Sequence, residues 1–212
     1  MAGMMRLHHF AHSSASYRVR IALALKGLAV DYVTVDMLAR EQQGADYAAL
    51  NPQRLVPCLE LEDGRVIAQS LAIIAYLETL RPAPALWPDD PVEKAQVEAQ
   101  CLMIAADTSP VQARIVQRYL EEDCGLPDAA IHGWLTHWIR RGLAPVEDFV
   151  RKSPHEFAAA DTPGMLDLMI VPQLRNAERF GIDVSDFTAL AGLAGRCLRL
   201  PAFQAAHPDN WS

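Results

Sequence analysis

Residues 13–23 of the chain read SSASYRVRIAL. A short strand-like segment at 6–10 precedes it, and a helical pattern runs from Val19 to Lys26, where Gly27 ends the helix. Serines at the start of a helix are common N-caps. The free N–H groups and the dipole of a helix N-terminus stabilise negative charge, so a thiol placed there ionises more easily. The stretch therefore predicts a strand–turn–helix junction whose serines either cap the helix only or also hold an anion.

Two arginines in this stretch conflict with their position in the helix. Arg18 and Arg20 lie in its first turns, where a cation is unfavourable, and they point in different directions because they are two residues apart. Such a local conflict indicates a functional role. We expect one arginine to bridge to a second domain and the other to face an anion. The alternative is a pair of solvated or salt-bridged side chains.

The rest of the first eighty residues alternates between strand and helix patterns. We predict a strand at 30–35, a short helix at 46–50, a hairpin at 57–68 and a helix at 71–80. The order β-α-β-α-β-β-α combines a parallel unit with an antiparallel hairpin. That order fits a thioredoxin-like α/β layout.

The pattern changes after residue 81. Prolines at 82, 84, 88 and 91 predict a linker, and only helical patterns follow it, at 92–120, 128–152, 165–180, 187–200 and 202–206. Pro110 should kink the first of these helices. The predicted fold class is α/β plus all-α: a thioredoxin-like domain at 1–81, a linker at 82–91 and an all-helical domain at 92–212. Clefts between unlike domains are common ligand sites.

Composition excludes several classes of function. The 212 residues carry a formal net charge of −7, which disfavours nucleic acid as a partner. No apolar run is long enough for a transmembrane helix, and the first residues do not resemble a signal peptide. The four cysteines form no CxxC pair, so we expect reduced thiols, a cytoplasmic protein and no metal site.

Two further segments could bind a peptide-like ligand. Pro57 before a strand can follow a cis bond, which would turn the N–H and C=O of Val56 outward to pair with an extended peptide. Ser70 is a good N-cap for the helix at 71–80, and the N–H groups beyond it would bind a carboxylate beside Gln69. A plain cap is the alternative.

These segments resemble the zeta class of the glutathione transferase superfamily, a class that includes maleylacetoacetate and maleylpyruvate isomerases. The most specific match is the stretch 13–23. NPQRLVP at 51–57 and QSLAIIAYLE at 69–78 are similar to the glutathione-site segments of the class. The second half agrees through VPQ at 171–173, NAERF at 176–180 and AFQAAHP at 202–208.

The resemblance implies a glutathione-dependent enzyme and a role for each matching position. Ser13 and Ser14 would stabilise the glutathione thiolate, and Val56 would pair with the cysteinyl unit. Gln69 and Ser70 would hold the γ-glutamyl carboxylate, and Gln53, in the segment before Val56, is a further candidate for binding glutathione. Arg179 would bind a substrate carboxylate. Arg18 is a second candidate anchor, and His12 and Ser109 are candidate substrate contacts.

Four positions depart from the pattern of the class. Ala15 replaces a frequent cysteine, which argues against thiol–disulfide chemistry. Ser109 precedes Pro110 where relatives often carry Gln or His, and His12 stands where an arginine is frequent. Gly164 replaces a Ser or Thr helix cap three residues before Asp167.

The function expected from this resemblance is cis–trans isomerisation of a maleyl keto acid in aromatic amino acid catabolism. Two alternatives stay open: a glutathione transferase acting on α-halo acids or other electrophiles, and a non-catalytic binding protein. We expect glutathione and a small dicarboxylic keto acid as ligands. We also expect a homodimer, with no nucleic acid and no membrane as partners.

Overall fold

The computed structural model describes residues 4–211. These residues form two compact units, one made of residues 4–85 and 200–211 and the other of residues 86–199. The outer limits of the predicted domains, residues 1–3 and 212, lie outside the described residues.

A four-stranded mixed sheet forms the centre of the first unit, and its strand order is β2-β1-β3-β4. Strand β1 pairs in parallel with β2 and antiparallel with β3, which pairs antiparallel with β4. The predicted order β-α-β-α-β-β-α and the thioredoxin-like layout are therefore confirmed. The elements are β1 Arg6–His9, α1 Ser14–Lys26, β2 Asp31–Thr34, α2 Ala45–Leu50, β3 Cys58–Glu60, β4 Val66–Ala68 and α3 Ser70–Leu80.

The N-terminal end of α1 lies directly after the serine junction. Ser13 is the N-cap, and Gly27 ends the helix in the left-handed conformation at φ 57°, where it donates its N–H to Ala24. Glycine is favoured there because a side chain would strain that conformation. The helix predicted at 19–26 begins five residues earlier, at Ser14.

The second unit contains helices and no strand within residues 86–199. The helix expected at 92–120 is interrupted: it widens at Met103–Thr108, turns at Pro110 and resumes at Arg114. Pro110 lacks an N–H and cannot continue the hydrogen-bond ladder. The other predicted helices are present, so the elements of this unit are α4 Pro91–Leu102, α5 Arg114–Arg118, α6 Asp128–Lys152, α7 Met165–Arg179 and α8 Thr188–Cys197.

The division into units differs from the predicted domains in two places. The units separate between Ala85 and Leu86, within the predicted linker, and the segment 200–211 packs with the first unit instead of with the helices before it. This segment contains α9 Pro201–Ala205 and a short 3₁₀ turn, Pro208–Asn210. Its attachment to α1 through Arg20 explains the difference, because a contact across that distance in sequence leaves no local signal.

Three observations bear on the function classes considered above. Along residues 4–211 no helix is long and apolar enough to cross a bilayer. No group of three or more His, Cys, Asp or Glu side chains in that range is arranged to hold a metal ion. No disulfide joins the cysteines, and burial raises the pKa of the Cys58 and Cys197 thiols, as expected of packing residues.

Candidate active site

The register of the sheet brings three of the predicted site segments to one end of it. His8 near the end of β1 lies opposite Cys58 at the start of β3, and Cys58 lies opposite Ala68 at the end of β4. The chain leaves β1 toward Ser13, enters β3 from Val56 and leaves β4 toward Gln69. The serine junction, the Val56 loop and the start of α3 therefore share one end of the first unit.

Ser13 begins α1 with its side chain as well as its backbone. Its Oγ accepts the N–H of Ser16 at 3.2 Å, and its own N–H donates to the Phe10 carbonyl at 3.1 Å. The capping interpretation is thus correct for Ser13. A hydroxyl that accepts one hydrogen bond keeps its own proton to donate, so capping does not exclude a second partner for Ser13.

Ser14 is the first residue of α1, and its hydroxyl makes no hydrogen bond with residues 4–211. The backbone N–H groups of Ser14 and Ala15 also lack an acceptor in that range. These donors lie at the positive end of a 13-residue helix. The junction therefore offers two hydroxyls and two backbone donors to a negatively charged atom.

The loop before β3 presents the backbone of Val56. Its N–H and C=O form no hydrogen bond within the described residues, and the Val56–Pro57 bond is cis, as the sequence allowed. The preceding carbonyl, that of Leu55, is held by the Tyr47 hydroxyl and the Asn51 side-chain amide, each at 2.7 Å. The buried Tyr47 and Asn51 thus fix the loop while leaving the Val56 peptide groups available to a ligand.

The start of α3 differs in one detail from the prediction. Gln69, not Ser70, is the N-cap residue, and Ser70 is the first helical residue and buried. Gln69 adopts φ 71°, a conformation that costs a non-glycine residue on the order of 1–3 kcal/mol and is found mainly at functional sites. No side chain caps α3. The N–H groups of Ser70, Leu71 and Ala72 have no acceptor along residues 4–211, so they are available to an anion, whose binding here stays a prediction.

Gln53 and Gln69 are the two predicted site residues in direct contact. The Gln69 amide donates to Oε1 of Gln53 at 2.7 Å, and both side chains are exposed. This bond leaves the Gln69 carbonyl oxygen and the Gln53 amide nitrogen for a ligand. The pair joins the Val56 loop to the start of α3.

Both arginines of the stretch 13–23 are buried, which excludes the solvated alternative. Arg18 is 2% exposed and Arg20 is fully buried. Arg20 donates to the Ala206 carbonyl, which lies within the predicted second domain at 92–212, but the segment 200–211 belongs to the same observed unit as Arg20. The role of Arg18 as a carboxylate anchor stays a prediction.

The two remaining predicted substrate contacts lie in different units. His12 is partly buried in the loop before Ser13, with its ring edge-on to Phe10 at 5.8 Å between centroids. Ser109 lies in the second unit, where its hydroxyl donates to the Ile104 carbonyl at 2.7 Å. Their contacts with a substrate stay predictions.

Arg179 is the last residue of α7, and its side chain is exposed. Partial burial of the guanidinium, and then the charge of Arg175 one turn earlier, lower the pKa of Arg179. Arg175 is paired with Glu178 at 2.7 Å. Two cations on one helix face repel each other, and an anion bound by Arg179 would reduce that repulsion.

Sequence reasoning missed the part that Arg20 plays at the junction. The position of Arg20 in the first turns of a helix was the signal that something other than solvent surrounds it. Its partners could not be found from the pattern, because they include a carbonyl 186 residues away.

Comparison with known proteins agrees with this geometry. The family model for the glutathione S-transferase N-terminal domain matches residues 12–80. A maleylacetoacetate isomerase from Pseudomonas aeruginosa is 37% identical over 208 residues, which cover 97% of each chain.

Solved structures show a similarity over 96–97% of the chain. A holo maleylpyruvate isomerase, described as a bacterial glutathione S-transferase of the zeta class, has a TM-score of 0.92 at 35% identity and covers 96% of both chains. A maleylacetoacetate isomerase from Anaeromyxobacter dehalogenans, with glutathione in its active site, has a TM-score of 0.87 at 42% identity. That comparison covers 97% of this chain and 95% of the other.

Proposed function

This chain belongs to the family of maleylacetoacetate and maleylpyruvate isomerases, the zeta class of glutathione transferases, and on that premise we propose that it is a glutathione-dependent cis–trans isomerase of a maleyl keto acid. The observation that carries the proposal is the serine junction of residues 13–16. There, two hydroxyls and two backbone N–H groups at a helix start are available to stabilise a thiolate.

The groups at this end of the sheet fit glutathione in three respects. The tripeptide has a thiol, an amide backbone and a γ-glutamyl carboxylate. These correspond to the Ser13–Ser14 junction, the unpaired peptide groups of Val56, and the N–H groups of α3 beside Gln69. When bound, glutathione supplies a thiolate that adds reversibly to the cis double bond, allows rotation and then leaves, so that glutathione is regenerated.

The chain's own residues stabilise the negative charge of the glutathione sulfur. Ser13 and Ser14 donate hydrogen bonds to the sulfur and so favour its ionised form. Each well-placed donor of this kind contributes about 3 kcal/mol in enzymes that stabilise a developing negative charge. The donors are fixed before the ligand arrives, because the Ser13–Ser16 bond and the Phe10 carbonyl hold the loop.

Substrate binding needs a cation for the carboxylate of the keto acid. We assign this role first to Arg179, whose exposed guanidinium lies near a second cation. Arg18, His12 and Ser109 remain candidates for further substrate contacts. His12 is a weaker carboxylate ligand at neutral pH than an arginine in its place would be, so this position is expected to influence the choice between keto acids.

The cellular setting belongs to the proposal as well. Buried thiols that form no disulfide are typical of a reducing compartment, so we propose a cytoplasmic enzyme of aromatic amino acid catabolism. We further propose a homodimer, on the resemblance alone. Light scattering coupled to size-exclusion chromatography would measure the mass directly.

The function is tested with purified protein and two substrates, maleylpyruvate and maleylacetoacetate, each with and without glutathione. We expect spectrophotometric loss of the cis isomer only when glutathione is present, with the total thiol concentration unchanged at the end. Consumption of glutathione in step with substrate would instead indicate a transferase. Failure to bind glutathione at millimolar concentration would indicate a binding protein and contradict the proposal.

A further inference from the structure

A fully buried guanidinium connects three separate segments of the first unit. Nε of Arg20 donates to the Ala206 carbonyl at 3.0 Å, and Nη2 donates to the Ala11 carbonyl at 2.9 Å. Nη1 contacts the Phe10 carbonyl at 3.3 Å and Nδ1 of His9 at 3.2 Å. Arg20 thus holds the end of β1, the loop before Ser13 and the segment 200–211 with one rigid fork of donors.

Backbone carbonyls and aromatic rings surround the positive charge of Arg20. No carboxylate among residues 4–211 forms an ion pair with Arg20, while the rings of Tyr17 and Trp211 each lie with their centroid 5.5 Å from its guanidinium carbon. Burial lowers the pKa of Arg20 to about 10. The group therefore stays positively charged at neutral pH.

The titratable groups that face Arg20 do not neutralise it at neutral pH. Arginine can only donate, so Nδ1 of His9 accepts and the imidazole proton lies on Nε2. Burial, and then the charge of Arg20, lower the pKa of His9 to about 4. Burial also raises the pKa of Tyr32, whose ring lies beside His9 and Trp211.

Hydrogen bonds connect Arg20 to Ser13 through the loop that precedes this serine. The Phe10 carbonyl that accepts from Arg20 also accepts the N–H of Ser13 at 3.1 Å. The N–H of Phe10 donates in turn to the hydroxyl of Ser16 at 3.4 Å. Moving Phe10 would therefore move the backbone of Ser13 and the start of α1.

The segment 200–211, which also contacts Arg20, is held together by hydrogen bonds of its own. The indole N–H of Trp211 donates to the Ala205 carbonyl at 3.1 Å, and its backbone N–H donates to Pro208 at 2.9 Å. The Trp211 ring packs on Tyr32 with centroids 4.2 Å apart. The segment is thus a folded cap over the guanidinium.

We propose that Arg20 is a positioning residue of the isomerase, which couples the docking of the segment 200–211 to the placement of Ser13 and Ser14 and thereby to the ionisation of bound glutathione. This inference rests on the proposed function. It assigns to the segment 200–211 a role in the chemistry of a loop that lies almost two hundred residues earlier in the chain.

The variant Arg20→Lys tests whether the planar guanidinium matters in addition to its positive charge. An ammonium keeps the positive charge but cannot reach the carbonyls of Phe10, Ala11 and Ala206 with a planar fork. For Arg20→Lys we expect the pKa of the bound glutathione thiol to rise by roughly one unit, which is tenfold less thiolate well below the pKa. Activity at neutral pH should fall in proportion and recover at alkaline pH, which a merely unstable enzyme would not do.

The segment is tested by Trp211→Ala, with Trp211→Phe as the conservative partner. The alanine variant removes the ring over Arg20 and should raise the thiol pKa, whereas phenylalanine keeps a ring there and should restore most of the effect. Arg81→Lys is the matched control. Arg81 also donates to two backbone carbonyls, those of Lys26 and Gly27, but at the opposite end of α1.

The measurements are the ultraviolet absorption of the bound thiolate against pH and the amide hydrogen exchange of Ser13 in the ligand-free protein. We expect faster exchange at Ser13 and a raised thiol pKa in Arg20→Lys and Trp211→Ala, and neither change in Arg81→Lys. Unchanged exchange and thiol pKa in the first two variants, or equal changes in the control, would overturn the proposal. Because hydrogen exchange needs no glutathione, this test is decided even for a protein that fails the isomerase assay.

Discussion

The Ser13 hydroxyl accepts the N–H of Ser16 at 3.2 Å, so a single side chain both begins α1 and lies at the site assigned to the glutathione sulfur. Ser14, its neighbour, makes no such bond within residues 4–211. The two serines therefore separate two effects, because only Ser13 contributes to the stability of the helix as well as to the junction.

Alanine at each serine should show this difference. Ser13→Ala is expected to lower the free energy of unfolding by about 1 kcal/mol through the lost cap, and also to reduce kcat/KM. Ser14→Ala should reduce kcat/KM without changing stability. Urea unfolding and isomerase kinetics on both variants measure the two quantities. A variant with an unchanged rate removes that serine from the mechanism.

Substituting Gln69 by glycine and by alanine separates the loss of its side chain from the strain of its positive φ. Both substitutions remove the amide beside α3 and should weaken glutathione binding, measured by calorimetry. Glycine tolerates φ 71° and alanine does not. Gln69→Gly should therefore be more stable than Gln69→Ala by about 1 kcal/mol. Equal stability of the two variants, or unchanged affinity for glutathione, would contradict the assignment.

Arg179 should act on the keto acid and not on glutathione. Arg179→Ala is expected to raise KM for the maleyl substrate by at least tenfold, in line with the loss of a charged hydrogen bond of about 1.5–3 kcal/mol. The dissociation constant of glutathione should stay the same. Arg175→Ala is the matched control on the same helix face and should have the smaller effect on KM. A change in glutathione affinity in Arg179→Ala would contradict the assignment of Arg179 to the keto acid.

The buried carboxyl of Asp167 should make the free energy of unfolding depend on pH. It is 1% exposed, accepts the N–H of Gly164 at 2.8 Å, and burial raises its pKa from 3.8 to about 6. A carboxyl with a raised pKa in the folded state stabilises the fold below the unfolded pKa and loses that contribution as pH rises through the folded value. Relative to Asp167→Asn, the wild type should lose about 3 kcal/mol between pH about 3 and pH about 7.

Urea unfolding of both proteins across this range gives that difference directly. A flat difference would mean that the backbone hydrogen bonds to the carboxylate balance its burial, and a difference that grows with pH would mean that they outweigh it; either result contradicts the prediction.

The order of the elements could be predicted because its signals are local. Periodicity and turn residues fit within one element, and the helix predicted at 128–152 is observed with those limits. The serine junction was found for the same reason, since capping residues and the helix they begin are adjacent in sequence.

The features that sequence reasoning missed depend on contacts between distant residues or on unusual backbone angles. The Arg20–Ala206 bond spans 186 residues and places the segment 200–211 in the first unit. Gln69 was not recognised as the cap of α3 because glycine and asparagine, not glutamine, are the residues that mark a positive φ. Serine is a common N-cap, so Ser70 was the better local choice.

We expect the Ser13–Ser14 junction to keep the glutathione sulfur ionised. The most direct measurement is the pKa of the thiol of bound glutathione, obtained from thiolate absorption during a pH titration of the wild-type complex. A cysteine thiol in water has a pKa of about 8.5. A value at least one unit lower in the complex, raised again by substitution of the serines, is the result we predict. A bound thiol as weakly acidic as the free one would contradict the account.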